Sequence, residues 1–162
     1  MKKEQKDIFY ITGESRKAVE NSPHLEVFNS KEVEVLYLID PIDEWVIQSL
    51  TEYESKKLQS VTKGDLDLGK LSKEEKATQK EGKSKYKKHS TFVKNNFAQN
   101  RKEVRVSTRL KDSPCCLVAD EADMGANMER ILKMAKQDVQ ESKRILEINP
   151  THPIMENMKA MY

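Results

Sequence analysis

Gly64-Asp65-Leu66-Asp67-Leu68-Gly69-Lys70-Leu71 nearly reproduces the spacing of a phosphate-binding loop. In such a loop glycine amides cradle phosphates, the lysine reaches the outer phosphates and a Ser or Thr hydroxyl holds magnesium. Here Leu71 replaces the hydroxyl, Asp65 and Asp67 bring negative charge to the phosphates' place, and no strand leads directly into a helix, so a surface turn is the reading. The same two acids are too few for a calcium loop. His24, His89 and His152 lie beside prolines or in a basic stretch, with no nearby nucleophile and no metal-ligand spacing; they read as solvated or capping histidines. Cys115 and Cys116 are neighbours, which makes neither a disulfide framework nor a zinc site. They read as small apolar residues on a buried strand, with a reactive thiol as the alternative. Asp120, Glu121 and Asp123 read as a helix start, where the dipole favours acids, rather than as a metal cluster. No catalytic residue, metal ligand or cofactor contact is assigned, and the segment is not read as an enzyme.

The chain has 162 residues, 36% hydrophobic, 35% charged and 6% aromatic. That length allows one ordinary domain or two small ones and excludes a large lobed enzyme. The absence of a long apolar run and of a signal-peptide core predicts a soluble, cytoplasmic protein with no membrane partner. Residues 70–102 hold eleven Lys or Arg against three Glu, a net of +8 that leaves the other 129 residues at −6. Such a stretch can release counterions from nucleic acid, but it has few Arg, interleaved Glu, and only Tyr86 and two Phe for stacking. A solvated helix or linker is the better reading, and no nucleic-acid partner is expected.

Ile8–Thr12 and Val33–Ile39 are β-branched or aromatic runs that predict two buried strands. Between them, 14–29 is helical in pattern with a break at Ser22-Pro23, and a strand, crossover and strand predict parallel pairing. Asp40 as cap, Pro41 at the first turn, and Asp43 and Glu44 at the dipole's positive end predict a helix over Pro41–Tyr53. Its apolar face comprises Ile42, Trp45, Val46, Leu50 and Tyr53. A short strand over 58–62, one helical turn at Phe92, Val93 and Phe97, strands over 104–108, 115–119 and 145–148, and helices over Met124–Lys136 and Pro153–Tyr162 complete the reading. Six of the seven methionines fall in the last 39 residues, and Met124, Met128, Ile131 and Leu132 form a helical stripe. Such a stripe is either an ordinary core face or an adaptable surface for varied apolar partners.

Asp7-Ile8-Phe9-Tyr10-Ile11-Thr12-Gly13-Glu14-Ser15, Ser22-Pro23-His24-Leu25-Glu26, Val33-Glu34-Val35-Leu36, Asp40-Pro41-Ile42-Asp43-Glu44-Trp45, Ser60-Val61-Thr62-Lys63, the run Val104 to Leu110, Asp112-Ser113-Pro114 and Glu147-Ile148-Asn149-Pro150 together resemble the heat-shock protein 90 chaperone family. The Trp45 version of the helix motif is closer to the bacterial type, and the resemblance covers nearly the whole chain. It implies an α/β (α+β) fold: residues 1–54 as the last helix-sheet-helix subdomain of the family's middle segment, and 55–162 as a C-terminal domain with a short mixed sheet that lacks its final dimerisation helices. It further implies an ATP-driven, homodimeric stress-response chaperone as the parent, with the ATP and magnesium site outside this segment. Partly folded client proteins are the implied partners. Carried over by the family motif, the client-binding positions are Trp45, Gln48, Met124, Met128, Ile131 and Leu132. The alternative is a structural relay between ATPase region and dimer interface, without client contact. At 70–102 this chain is more lysine-rich than the family pattern.

Overall fold

A computed structural model of the chain describes residues 5–66, 101–140 and 142–160. The phosphate-loop-like run beyond Leu66, nearly all of the basic stretch, His89 and the turn at Phe92, Val93 and Phe97 lie outside the described residues.

The architecture is α+β, with two small sheets. In the first, β1 (Ile8–Thr12) is central. Both faces of the sheet are used, so three successive β1 residues, Phe9, Tyr10 and Ile11, are buried. β1 pairs in parallel with β2 (Val35–Leu38) on one side and β4 (Lys56–Ser60) on the other. β3 (Glu52–Tyr53) closes the order β2-β1-β4-β3 by an antiparallel pair with β4.

The crossover from β1 to β2 is α1 (Arg16–Glu20), a 3-10 turn (Pro23–Leu25) and α2 (Glu26–Ser30). Ser15 caps α1 by accepting from the Ala18 amide, and Ser22 does the same for the turn through His24. This crossover buries Val19, Leu25, Val27 and Phe28 against Phe9, Ile11 and Val61. The Phe9 and Phe28 rings meet edge-on with centroids 5.0 Å apart.

Parallel pairing of β1 and β2 is as the sequence predicts, but β2 is not a buried strand. It lies at the sheet edge, where Val33 and Val35 reach the core while Leu36 and Tyr37 remain exposed. The expected helix over Pro41–Tyr53 is also shorter: α3 spans Asp43–Ser49, and Tyr53 belongs to β3. A hairpin ends it, because Glu54 and Ser55 both take positive φ, at 48° and 61°. Turns of that kind usually advertise themselves with Asn or Gly, and this one does not. Nor does the Asp40 side chain cap α3. The Asp40 carbonyl accepts from the Asp43 amide, and the Asp43 carboxylate accepts from the Asp40 amide at 3.0 Å.

The second sheet has the order β5-β7-β6, with β5 (Glu103–Val106) parallel and β6 (Cys115–Val118) antiparallel to the central β7 (Ile145–Ile148). All four β7 residues are buried. Val104, Leu146 and Ile148 pack with Met155 of α5 (Pro153–Ala160) on one side, and Cys116, Val118 and Ile145 pack with Leu110 on the other. Alternation along β6 exposes Cys115 and buries Cys116, so only one of the two expected buried cysteines is inside. Burial and then the Glu147 charge push the Cys116 thiol up to about 12, a poor nucleophile.

α4 (Ala126–Met134) starts later than expected, at an N-cap Gly125, and Met124 precedes it. The acids before it are used elsewhere, Asp120 and Asp123 both pairing with Lys102, at 2.7 and 3.4 Å. His152 is a capping histidine, its Nδ1 accepting from the Ile154 amide. His24 instead is half-buried with its Nδ1 enclosed, against the expectation of a solvated ring. Among the described residues no helix is long and apolar enough to cross a membrane.

The two sheets meet at residues 61–64, where Ala119 donates to the Thr62 carbonyl and accepts from the Gly64 amide at 2.9 Å. β4, just past the expected boundary at Glu54, is hydrogen-bonded into the first sheet.

Candidate functional site

Eleven large apolar side chains are exposed among the described residues, and eight of them fall between Leu36 and Tyr53 on β2, α3 and β3. Single exposed apolar residues are ordinary, whereas a concentration of this kind marks an interaction surface. Its centre is α3, whose expected apolar stripe points outward. Ile42, Trp45 (42% exposed) and Val46 face solvent, while the buried residue of the helix is the acid Glu44 (5% exposed).

Glu44 is buried because it has a partner. Its Oε1 accepts from Asn127 Nδ2 of α4 at 2.9 Å, and Asn127 Oδ1 accepts in turn from Arg130 at 2.8 Å. A polar contact therefore docks α3, and the apolar side is left free. α3 lies over the sheet face opposite α1 and α2, as right-handed crossovers in opposite directions require. Burial and then the Glu44 charge oppose ionisation of the Tyr10 phenol on that same face and hold it above its ordinary value.

The six sequence-predicted positions come together only in part. Trp45 is exposed, and Gln48 is exposed with its amide donating to the Glu44 carbonyl at 2.9 Å. Met124, Ile131 and Leu132 are half-buried, and Met128 is buried (8% exposed). The Glu44–Asn127 bond ties the helix that carries Trp45 and Gln48 to the one that carries Met128, Ile131 and Leu132. Met134, off the predicted stripe, is the exposed methionine of α4.

Behind this surface lies an ionic core that sequence reasoning missed. Arg109 is 0% exposed and Glu147 is 1% exposed. Glu147 accepts from Arg105 (2.8 Å), Ser107 (2.7 Å) and Arg109 (2.9 Å), so both carboxylate oxygens are filled. Arg109 also donates to the carbonyls of Val61 and Gly64, and its own carbonyl accepts from the Val27 amide. One side chain thus ties β7 to the 61–64 junction, while its backbone holds α2. Glu26 adds a second tie, accepting from the amides of Lys111, Asp112 and Ser113 and from the Ser113 hydroxyl. Burial opposes ionisation of Glu26, but these four donors prevail and hold its carboxyl below the usual range.

The sequence model of the family described as Hsp90 protein matches residues 1–162. The chain belongs to the Hsp90 family. It is 52% identical over 160 residues to Chaperone protein HtpG of Geobacter metallireducens and equally to that of Geobacter sulfurreducens, covering 98% of this chain and 25% of each relative. It is 48% identical over 160 residues to Chaperone protein HtpG of Ruthia magnifica. This Hsp90-family chain therefore spans about a quarter of the length of the curated relatives it matches.

The described end of the phosphate-loop-like run does not fit a nucleotide. The Gly64 amide is spent on the Ala119 carbonyl, its carbonyl faces Arg105 and Arg109, and Asp65 pairs with Arg105 at 2.8 Å. A Cβ at Gly64 would collide with the Glu121 carboxylate, so an acid already occupies the space beside it. Among the described residues no group of three or more His, Cys, Asp or Glu is placed to hold a metal ion.

Proposed function

We propose that this segment is the part of an Hsp90-family chaperone that holds partly folded client proteins, and that its contact surface is centred on Trp45. The observation that carries the reading is the outward apolar face of α3, kept exposed because Glu44 makes the helix's inward contact. Many weak apolar contacts accommodate varied sequences better than a few directional hydrogen bonds. Gln48 widens this surface, and the half-buried Met124, just before the neighbouring helix, and Ile131 and Leu132 within it extend it. In this reading the homodimer, the ATPase and its ATP and magnesium belong to the parent protein, which works in the cytoplasm.

A second role is favoured by Met128 and the ionic core. Met128 faces inward, and Arg109, Glu147 and Glu26 bind the two sheets together, so the same segment also transmits movement between the parts of the parent on either side of it. Client holding and relay are compatible, because the first uses the outward face of α3 and the second uses the Glu26, Arg109 and Glu147 ties between the sheets.

Trp45 is the only tryptophan and therefore a clean reporter. Titrating the chain with a protein held partly unfolded is expected to shift Trp45 emission to shorter wavelength, with saturation, while the same protein in its native state leaves the emission unchanged. Unchanged emission with the unfolded form would overturn the proposed contact.

A further inference from the structure

Among the described residues the β2 edge of the first sheet is open. β2 pairs, among the described residues, only with β1, and the direction of that pairing follows from its ends: the Leu38 carbonyl accepts from the Gly13 amide, and Gln5 bonds both backbone groups of Glu34. Backbone groups alternate along a strand, so Glu34, Leu36 and Leu38 turn toward β1 while Val35 and Tyr37 turn outward. Among the described residues nothing bonds the amides or carbonyls of Val35 and Tyr37. Natural sheets blunt such an edge with proline, lysine or a bulge. β2 reads Val-Leu-Tyr-Leu and has none of these.

The surroundings specify what fits. Leu36 lies opposite Tyr10, on the α3 face of the sheet, so an added strand would set alternate side chains beside the apolar helix. The 24 residues from Glu32 to Ser55 carry seven acids and no Lys, Arg or His, and Arg16, whose charge reaches Tyr37, is paired with Glu20 at 2.7 Å. An apolar strand with basic ends complements that field, whereas an acidic one is repelled.

We propose that β2 takes an extended, apolar, lysine- or arginine-flanked segment of a non-native polypeptide as an additional strand, with main-chain hydrogen bonds to Val35 and Tyr37. The proposal rests on the client-holding reading and adds the class of segment and the way it is held. Main-chain pairing is indifferent to side-chain identity and suits a surface that meets many sequences.

The test is binding of a fluorescent ten-residue apolar peptide with lysine ends to the full 162-residue chain. N-methylation removes amide donors from one edge of a strand at a time. Methylating alternate amides on the edge that meets β2 is expected to weaken binding about tenfold or more, since two hydrogen bonds are lost, while methylating the other edge leaves it within about twofold. Glutamate ends in place of lysine are expected to weaken binding, by a margin that shrinks in high salt. Equal binding of both methylated peptides, with Trp45 still responding, overturns strand addition and leaves client holding intact. No binding of the peptide together with no Trp45 response to an unfolded protein overturns both. Crosslinks from Tyr37 to a second copy, or to the chain's own residues 70–102 in place of the peptide, also overturn the proposal.

Discussion

Replacing Glu147 by Ala is expected to lower the stability of the chain by about 3–5 kcal/mol, the usual cost of removing one member of a buried ion pair. The size follows from what remains. Arg109, with no exposed surface, would keep its charge and lose its carboxylate, while Arg105 and Ser107 would lose an acceptor each. The guanidinium cannot shed its proton to escape. Urea unfolding followed by circular dichroism measures the loss. The partner substitution Arg109→Met is also expected to destabilise, and the double variant to cost less than the two singles added, because no uncompensated charge is left. Strict additivity, or a loss under about 1 kcal/mol for Glu147→Ala, would contradict the buried network.

The second large effect is a pH dependence from His24. Burial, and then the nearby Arg109 charge, push its ring down to about 4, and its Nδ1 has no hydrogen-bond partner among the described residues. A ring with a folded value near 4 and an unfolded value of about 6.5 takes up its proton first in the unfolded chain. The neutral ring's contribution is therefore complete above pH 6.5, declines as pH falls, and is gone by about pH 4, a loss of about 3 kcal/mol. Glu26 acts in the same direction at lower pH, because its ionised form is held by four donors. Comparing urea midpoints at pH 7 and pH 5 for the natural chain and for His24→Leu isolates the ring. The natural chain should lose stability across that interval and the variant should lose clearly less. Parallel losses would show that His24 is not the titrating group.

What the sequence disclosed follows how each signal arises. β1 and β7 were legible because strands covered on both faces are written as short, nearly continuous apolar runs, and the parallel crossover followed from helical patterning between two of them. β2 was misjudged because Val33 to Ile39 reads the same whether one or both faces are covered. The helix after Asp40 was found and its length was not, since no glycine or asparagine marks the Glu54-Ser55 turn. Periodicity gave the apolar stripe of α3 but not its direction, which Glu44 and Asn127 decide through a partner 83 positions away. The ionic core left a faint trace. Arg105, Ser107 and Arg109 alternate onto one side of their strand and its continuation, and Glu147 is the lone acid among buried isoleucines and leucine. That trace becomes a network only when β5 and β7 are paired.

An outward face of α3 that holds unfolded chains should suppress their aggregation. The quantity is the chain concentration that halves light scattering from a heat-unfolding protein. Replacing Ile42, Trp45 and Val46 by Ser should leave the fold intact, since all three are exposed. This variant, with an unchanged melting temperature, should need at least about fivefold more chain, because the apolar anchors of the surface are gone. The same half-suppression concentration for variant and natural chain would contradict it.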